Sequence, residues 1–454
     1  MRTAYEFEKD MGIEYFITDT IPLLGKIKYK PDDFIVEEIL RDGTILAYNE
    51  KISLNLPNKG NYLYLVVKKK NMTTNDIIHL FLQKYRLKLS DIGVYGIKDR
   101  RAIAVQCFSL RNVKVEEVIN SRFKNIEILS HSYAYGPARL GQHLGNNFRL
   151  IIRDVRLGED SIKEVIEKIN EQKFIPNYFG YQRFGIPRPV THKIGEAIIK
   201  NDYERAVDEL IGTIDPLESE ERILARKIFL DTHDPKETLK YFPEELLYER
   251  IVLEHLLHNP NDFLGALAKL PTLALRLFIE AYSSYLFNRF LSKRICMKMF
   301  SIEEGDLVSP LDAGVPVFFS LIVGSGITKE RAKELLSKDR IAIVLPVLGY
   351  KVKISGGIMG DLIREILIGE GIRPSDFKIW LRDKFIGLKG SYRRIDLKPL
   401  IKLSYRIIKD EIFNTHAVQL SFALYRGCYA TVLLREIMKH PFPGSYFGKI
   451  LKGA

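Results

Sequence analysis

The stretch GVYGIKDRRAIAVQCFSL, residues 93–110, decides how this chain is read. Apolar and glycine residues at 93–97 lead into four consecutive charged residues, Lys98, Asp99, Arg100 and Arg101, and then into the apolar run AIAVQCFSL. A β-prone segment, a polar break and a second β-prone segment predict strand, turn, strand. The turn sets one carboxylate among three cations. The ordinary account is a charged turn whose ion pairs contribute little. The sharper one is an aspartate kept ionised by its neighbours, able to serve as nucleophile or base at neutral pH without a cofactor.

Moving upstream, NYLYLVVKK is a β-rich run ending in Lys68, Lys69 and Lys70. Thr73, Thr74 or Asn75 then caps a helix with Ile78, Phe81, Leu82 and Tyr85 on one face. GKIKYKPDDFIVEEIL reads as two short strands meeting at Lys30 and Pro31. Downstream, IEILSH and FRLIIRDV are further strand candidates, and a helix at 161–171 precedes NYFGYQRFG.

From about residue 190 to 390 helical patterns take over. In LALRLFIEAYSSYLFNRFLSKRI, residues Leu275, Phe278, Ile279, Tyr282, Leu286 and Phe290 follow helical spacing. Short strands near 313–319 and 341–345 flank a helix capped by Thr328, residues 395–425 return to strand-like sequence, and a last helix starts near Tyr429. The simplest organisation is a helical insertion within one β-rich domain. It gives a first catalytic part at 1–188, an insertion at 189–392 and a second catalytic part at 393–454. No repeats or low-complexity segments interrupt it.

Composition narrows the class. The 454 residues exceed one ordinary core. Fractions of 46% hydrophobic and 28% charged residues fit a globular protein. No apolar stretch reaches the ~20 residues of a membrane helix, and the start MRTAYEFEKDMGIEYF lacks a signal-peptide core. The expected location is the cytoplasm. Cys107, Cys296 and Cys428 form no close pair, which suits a reducing compartment. His255 and His258 lack further clustered ligands, so no metal site is expected. Lys and Arg outnumber Asp and Glu by 69 to 57, a net charge of +12 that favours a polyanionic partner.

Two glycine-rich segments read best as turns, which disfavours nucleotide-dependent chemistry. VGSGITKERAKELL lacks the Gly-Lys-Ser/Thr ending of a phosphate loop, and GVYGIKDR runs into a strand instead of a helix. The interleaved aromatics, amides and arginine of NYFGYQRFG, residues 177–185, suit either base stacking or a turn with buried rings. Phe34 and Tyr429, taken alone, read as core residues. Asp32, Asp33, Glu37 and Glu38 suit glycosidase carboxylates or strand alternation equally.

Together these segments resemble the TruD family of tRNA pseudouridine synthases. KYKPDDFIVEEI, GVYGIKDRRAIAVQ, ARLGQHLGNNFRL, IPNYFGYQRFG and GCYATVLLRE resemble the family's motifs in the family's order, while the middle region matches loosely. The resemblance implies an α/β (α+β) fold: a permuted pseudouridine synthase domain with a mixed, largely antiparallel sheet, plus a mainly helical inserted domain. It implies an isomerase needing no cofactor, acting on tRNA at uridine 13 with base flipping. It places Asp99 on the catalytic aspartate and Lys28 on its basic partner. Phe34, Asn177 and Tyr429 fall on residues lining the uridine pocket, and Phe179 on a stacking aromatic. Tyr429 departs from the family's usual phenylalanine. Asp99 then attacks the sugar or the base, or takes a sugar proton. Candidates for tRNA phosphates lie among Arg276, Arg289, Lys293 and Arg294, with Lys389, Arg393, Arg394, Lys398 and Lys402, though a solvated face explains most such runs. The rivals are a non-catalytic RNA-binding protein and a synthase acting at another RNA position.

Overall fold

The computed structural model describes residues 2–50 and 52–441; the end of the expected second catalytic part, 442–454, lies outside the described residues. The chain divides into two compact units. One comprises Thr20–Ile175, Ala313–Val315 and Leu397–Ala454, and the other Met1–Asp19, Pro176–Asp312 and Pro316–Asp396.

The first unit is built on an eight-stranded sheet among the described residues. Its order is Pro399–Asp410, Thr415–Tyr425, Gly145–Val155, Phe34–Ile39, Ile103–Arg111, Tyr62–Lys70 and Ile126–Ala134, with Ile92–Val94 also paired to Ile103–Arg111. Only Phe34–Ile39 and Ile103–Arg111 run parallel in this sheet; the other pairs are antiparallel. Strands from both ends of the sequence thus share one sheet, since Thr415–Tyr425 pairs with Gly145–Val155. Phe148 knits this seam: its ring stacks 5.3 Å from Phe422 and meets Phe34 edge-on at 6.3 Å.

Alternation along Tyr62–Lys70 explains how both faces are covered. Leu63, Leu65 and Val67 join Ile77, Phe81, Phe108 and Leu110 in one buried cluster. Tyr64 and Val66 join Leu46, Val105 and Cys107 in another. The helix over the first cluster, Thr74–Lys84, starts at Thr73. Thr73 Oγ1 accepts from the Asp76 amide at 3.0 Å, and Asp76 Oδ2 accepts from the Thr73 amide at 2.7 Å. Such a reciprocal cap stabilises a helix by about 1 kcal/mol.

The second unit packs helices Thr191–Ile199, Tyr203–Ile211, Glu220–Thr232, Leu247–His258 and Phe263–Ala268 with the long Thr272–Cys296. All six apolar positions expected on that long helix are buried. A small antiparallel sheet joins Leu321–Ile322, Leu307–Asp312, Ile341–Val347 and Ser391–Arg394 in that order. Helices Lys329–Ser337, capped by Thr328, and Gly357–Glu370 complete it.

One expectation is corrected by the structure. The first of the two strands predicted around Lys30 is absent. Residues 26–30 make an isolated bridge, Lys26 to Arg153, because Gly25 and Lys28 take left-handed backbone with φ of 87° and 53°. The short strand expected near 313–319 is Val315–Pro316, reached from Leu307–Asp312 through a turn at left-handed Ala313 and Gly314. The second unit, which holds most of the expected insertion, comprises Pro176–Asp312 and Pro316–Asp396. It also takes in the chain's start: Ser292 Oγ donates to the Gly12 carbonyl at 2.8 Å, and Asn288 Nδ2 to that of Met11 at 3.0 Å.

Candidate active site

The turn after Ile92–Val94 carries Asp99, and the sheet beneath supplies its support. Lys28 Nζ donates to Asp99 Oδ2 at 2.7 Å. The lysine is 4% exposed and the aspartate side chain 54%. Phe34, at the head of its strand, packs beside them with the ammonium 4.3 Å from its ring centroid, a cation–π arrangement. Lys28 itself sits in the left-handed region, a conformation costing a non-glycine residue roughly 1–2 kcal/mol. Such backbone concentrates where a side chain must be aimed.

Each cation flanking Asp99 in sequence has its own structural partner. Lys98 reaches inward to buried Glu38 at 2.6 Å, Arg100 pairs with Asp76 at 3.2 Å, and Arg101 donates to the Lys28 carbonyl at 2.8 Å. Glu38 also accepts from the Cys107 amide at 2.8 Å, so the ion pair ties loop to sheet. Gly96 makes room for it: a Cβ there would lie 2.7 Å from Lys98 Nζ. Thr74 Oγ1 accepts from the Lys98 amide at 2.8 Å and donates to Gln106 Oε1 at 2.9 Å.

Sequence reasoning missed Lys69. Alternation puts it on the same strand face as Leu63, Leu65 and Val67, and it is fully buried. Its ammonium donates to the Met72 carbonyl and, at 2.7 Å, to the backbone carbonyl of Asp99 itself. Burial pushes its pKa down to about 8, with the Asp99 charge acting against that shift. A lysine in phase with three core residues was the signal available.

The acids read as glycosidase candidates are engaged elsewhere. Asp33 holds Arg153 through both oxygens at 2.6 and 2.8 Å, Glu37 accepts from Asn147 at 2.6 Å, and Asp32 pairs with Lys70 at 2.8 Å.

Asn177 and Phe179 belong to the other unit, where the structure brings them together with Arg393. Arg393 Nη2 donates to Asn177 Oδ1 at 2.7 Å and its Nε to the Asn177 carbonyl at 2.9 Å. Its guanidinium lies 4.1 Å from the Phe179 ring centroid. Asn288 clamps the Phe179 main chain, accepting from its amide at 2.8 Å and donating to its carbonyl at 3.0 Å. Beside Phe179 opens a hollow of about 580 Å³ whose lining includes Arg276, Tyr350, Phe385 and Lys389. Tyr429 precedes helix Ala430–Met438 in the first unit and is 43% exposed, so burial does not dictate a partner for its hydroxyl.

Four of the arginines proposed for phosphates have carboxylate or amide partners within the protein. Arg294 is buried in a two-pronged pair with Asp306, Arg289 pairs with Glu370, Arg394 with Asp396, and Arg393 acts as above. His255 bonds Asp262 at 2.9 Å, and no group of three or more metal-binding side chains occurs among the described residues. No described helix is long and apolar enough to cross a membrane.

Residues 10–437 match the model of the TruD family, tRNA pseudouridine synthase D. A protein from Pyrobaculum islandicum assigned as tRNA pseudouridine synthase D is 36% identical over 98% of this chain and 99% of its own length. One from Archaeoglobus fulgidus, assigned likewise, is 34% identical over 95% of this chain and 99% of its own. A crystal structure from Methanosarcina mazei, also assigned as tRNA pseudouridine synthase D, superposes with a TM-score of 0.81 at 30% identity, covering 97% of this chain and 99% of that one. Fold and relatives define an α+β isomerase of the RNA pseudouridine synthase class. The chain belongs to the TruD family of tRNA pseudouridine synthases.

Proposed function

We propose that this enzyme isomerises uridine 13 of tRNA, with Asp99 as nucleophile and the target base flipped out of its stack. The observation that carries the reading is the Lys28–Asp99 pair: a buried ammonium 2.7 Å from a carboxylate that stays open to solvent. The lysine keeps the carboxylate charged and aimed once RNA displaces water. Substrate and product are isomers: the N1–C1′ bond breaks, a C5–C1′ bond forms, N1 gains a proton and C5 releases one. No external electrons or groups enter, so the reaction needs no cofactor, and it proceeds on cytoplasmic tRNA.

Extruding a base costs a few kcal/mol, and aromatic stacking returns ~1–3 kcal/mol per base. Phe34, Phe179 and Tyr429 are the rings assigned to that task, and Asn177 is assigned to the uracil or its neighbour. Arg276 and Lys389, exposed at the hollow beside Phe179, are the cations assigned to phosphates. Tritium release from tRNA labelled at uracil C5, compared between wild type and Asp99→Asn, tests the reading. Release by wild type alone, mapped to uridine 13, supports it. Release by both proteins removes Asp99 from the mechanism, and release mapped to another uridine removes the target.

A further inference from the structure

We propose that Lys69 is a positioning residue for the isomerisation: its buried ammonium fixes the main chain of the loop that carries Asp99. The inference rests on Asp99 being the catalytic carboxylate.

Leu63, Leu65 and Val67 complete an apolar strand face, and a fourth apolar residue would continue it at no electrostatic cost. The chain instead buries a lysine there. Burying an ammonium among apolar side chains is unfavourable unless its donors are satisfied. Two go to carbonyls that both bear on the site. The Met72 carbonyl lies just before the Thr73 cap, and the Asp99 carbonyl belongs to the reacting residue. Lys69 therefore joins the start of helix Thr74–Lys84 to the root of the Asp99 side chain, while Lys28 holds the carboxylate itself.

Asp99 is thus held twice, by main chain and by side chain, each time by a buried ammonium. Loop support alone would need only a neutral donor. A charged one makes stronger bonds, roughly twice those of neutral groups, and adds a second fixed positive charge beside the aspartate. The charged groups bearing on Lys69 are Asp99, Lys98, Asp76 and Lys28. Among them burial keeps its pKa near 8, so the ammonium is present at neutral pH and lost at moderately alkaline pH.

The test is steady-state and single-turnover pseudouridine formation by full-length Lys69→Met, with tRNA affinity and thermal melting recorded alongside. A displacement of about 1 Å at a reacting group costs up to ~100-fold, so kcat should fall ~10- to 100-fold while KM and affinity move less than about threefold. Wild-type kcat in a folded Lys69→Met overturns the proposal. Should that variant melt early, the wild-type pH profile decides. The rate should drop about threefold to tenfold across pH 8 with unchanged circular dichroism, as charge assistance is lost; a flat rate from pH 7 to about 9.5 overturns it. Activity surviving in Asp99→Asn would instead remove the underlying assignment of Asp99, whatever Lys69→Met does.

Discussion

Lys28 and Asp99 meet at 2.7 Å with opposite exposures, the ammonium enclosed at 4% and the carboxylate open at 54%. The protein holds the cation and presents the anion. Replacing Lys28 by Met should leave tRNA affinity within about threefold, since the lysine does not face solvent. It should lower kcat by ~100-fold or more, the scale of a misplaced reacting group. Equal losses in kcat and affinity would show that Lys28 holds RNA instead.

The Lys98–Glu38 pair should matter to stability before chemistry. Both side chains are buried, and breaking a buried pair from one side costs about 3–5 kcal/mol. Glu38→Gln should therefore lower the urea midpoint strongly. Unfolding followed by circular dichroism checks this, and an unchanged midpoint would mean the pair is replaceable.

In the second unit, Arg393→Lys should loosen the support of Asn177 and Phe179. Lysine keeps the charge but loses the planar fork that donates to Asn177 Oδ1 and the Asn177 carbonyl. Leaving buried acceptors unmet costs about 1–3 kcal/mol, readable as a lower melting temperature. An unaltered melting temperature would contradict the bonding described.

Arg276 and Lys389, the cations assigned to phosphates, should bear on affinity alone. The double change to alanine should flatten the plot of log affinity against log salt by about 1.5–2, close to one counterion per phosphate contact. A slope identical to wild type would place both cations off the RNA path.

Lys69 should give activity and stability opposite dependences on pH. Its folded-state pKa of about 8 lies below the ordinary lysine value of 10.5. Between these values the unfolded chain holds the extra proton, so this group's contribution to stability rises with pH, by roughly 3 kcal/mol in full. It is complete above 10.5 and lost as pH falls through about 8. The stability difference between wild type and Lys69→Met, measured in urea at about pH 7 and 9.5, should shift in favour of wild type at the higher pH. A pH-independent difference would sink the assignment.

By itself the sequence determined the order of elements and the motifs of the family. The charged turn at 98–101, the threonine caps and the helical spacing of Leu275 to Phe290 are local signals, legible because hydrogen-bond geometry and side-chain periodicity act over a few residues. Tertiary structure alone decided which charges meet. Of the lysines and arginines around Asp99, Lys98 turns to Glu38 and Arg100 to Asp76, while the distant Lys28 takes the carboxylate and Lys69 the backbone. It likewise committed Arg289, Arg294, Arg393 and Arg394 to partners inside the protein. A charge has no periodicity of its own to show its partner. That partner is set by which strands become neighbours and by which face each side chain occupies, and both follow from packing between segments far apart in the chain.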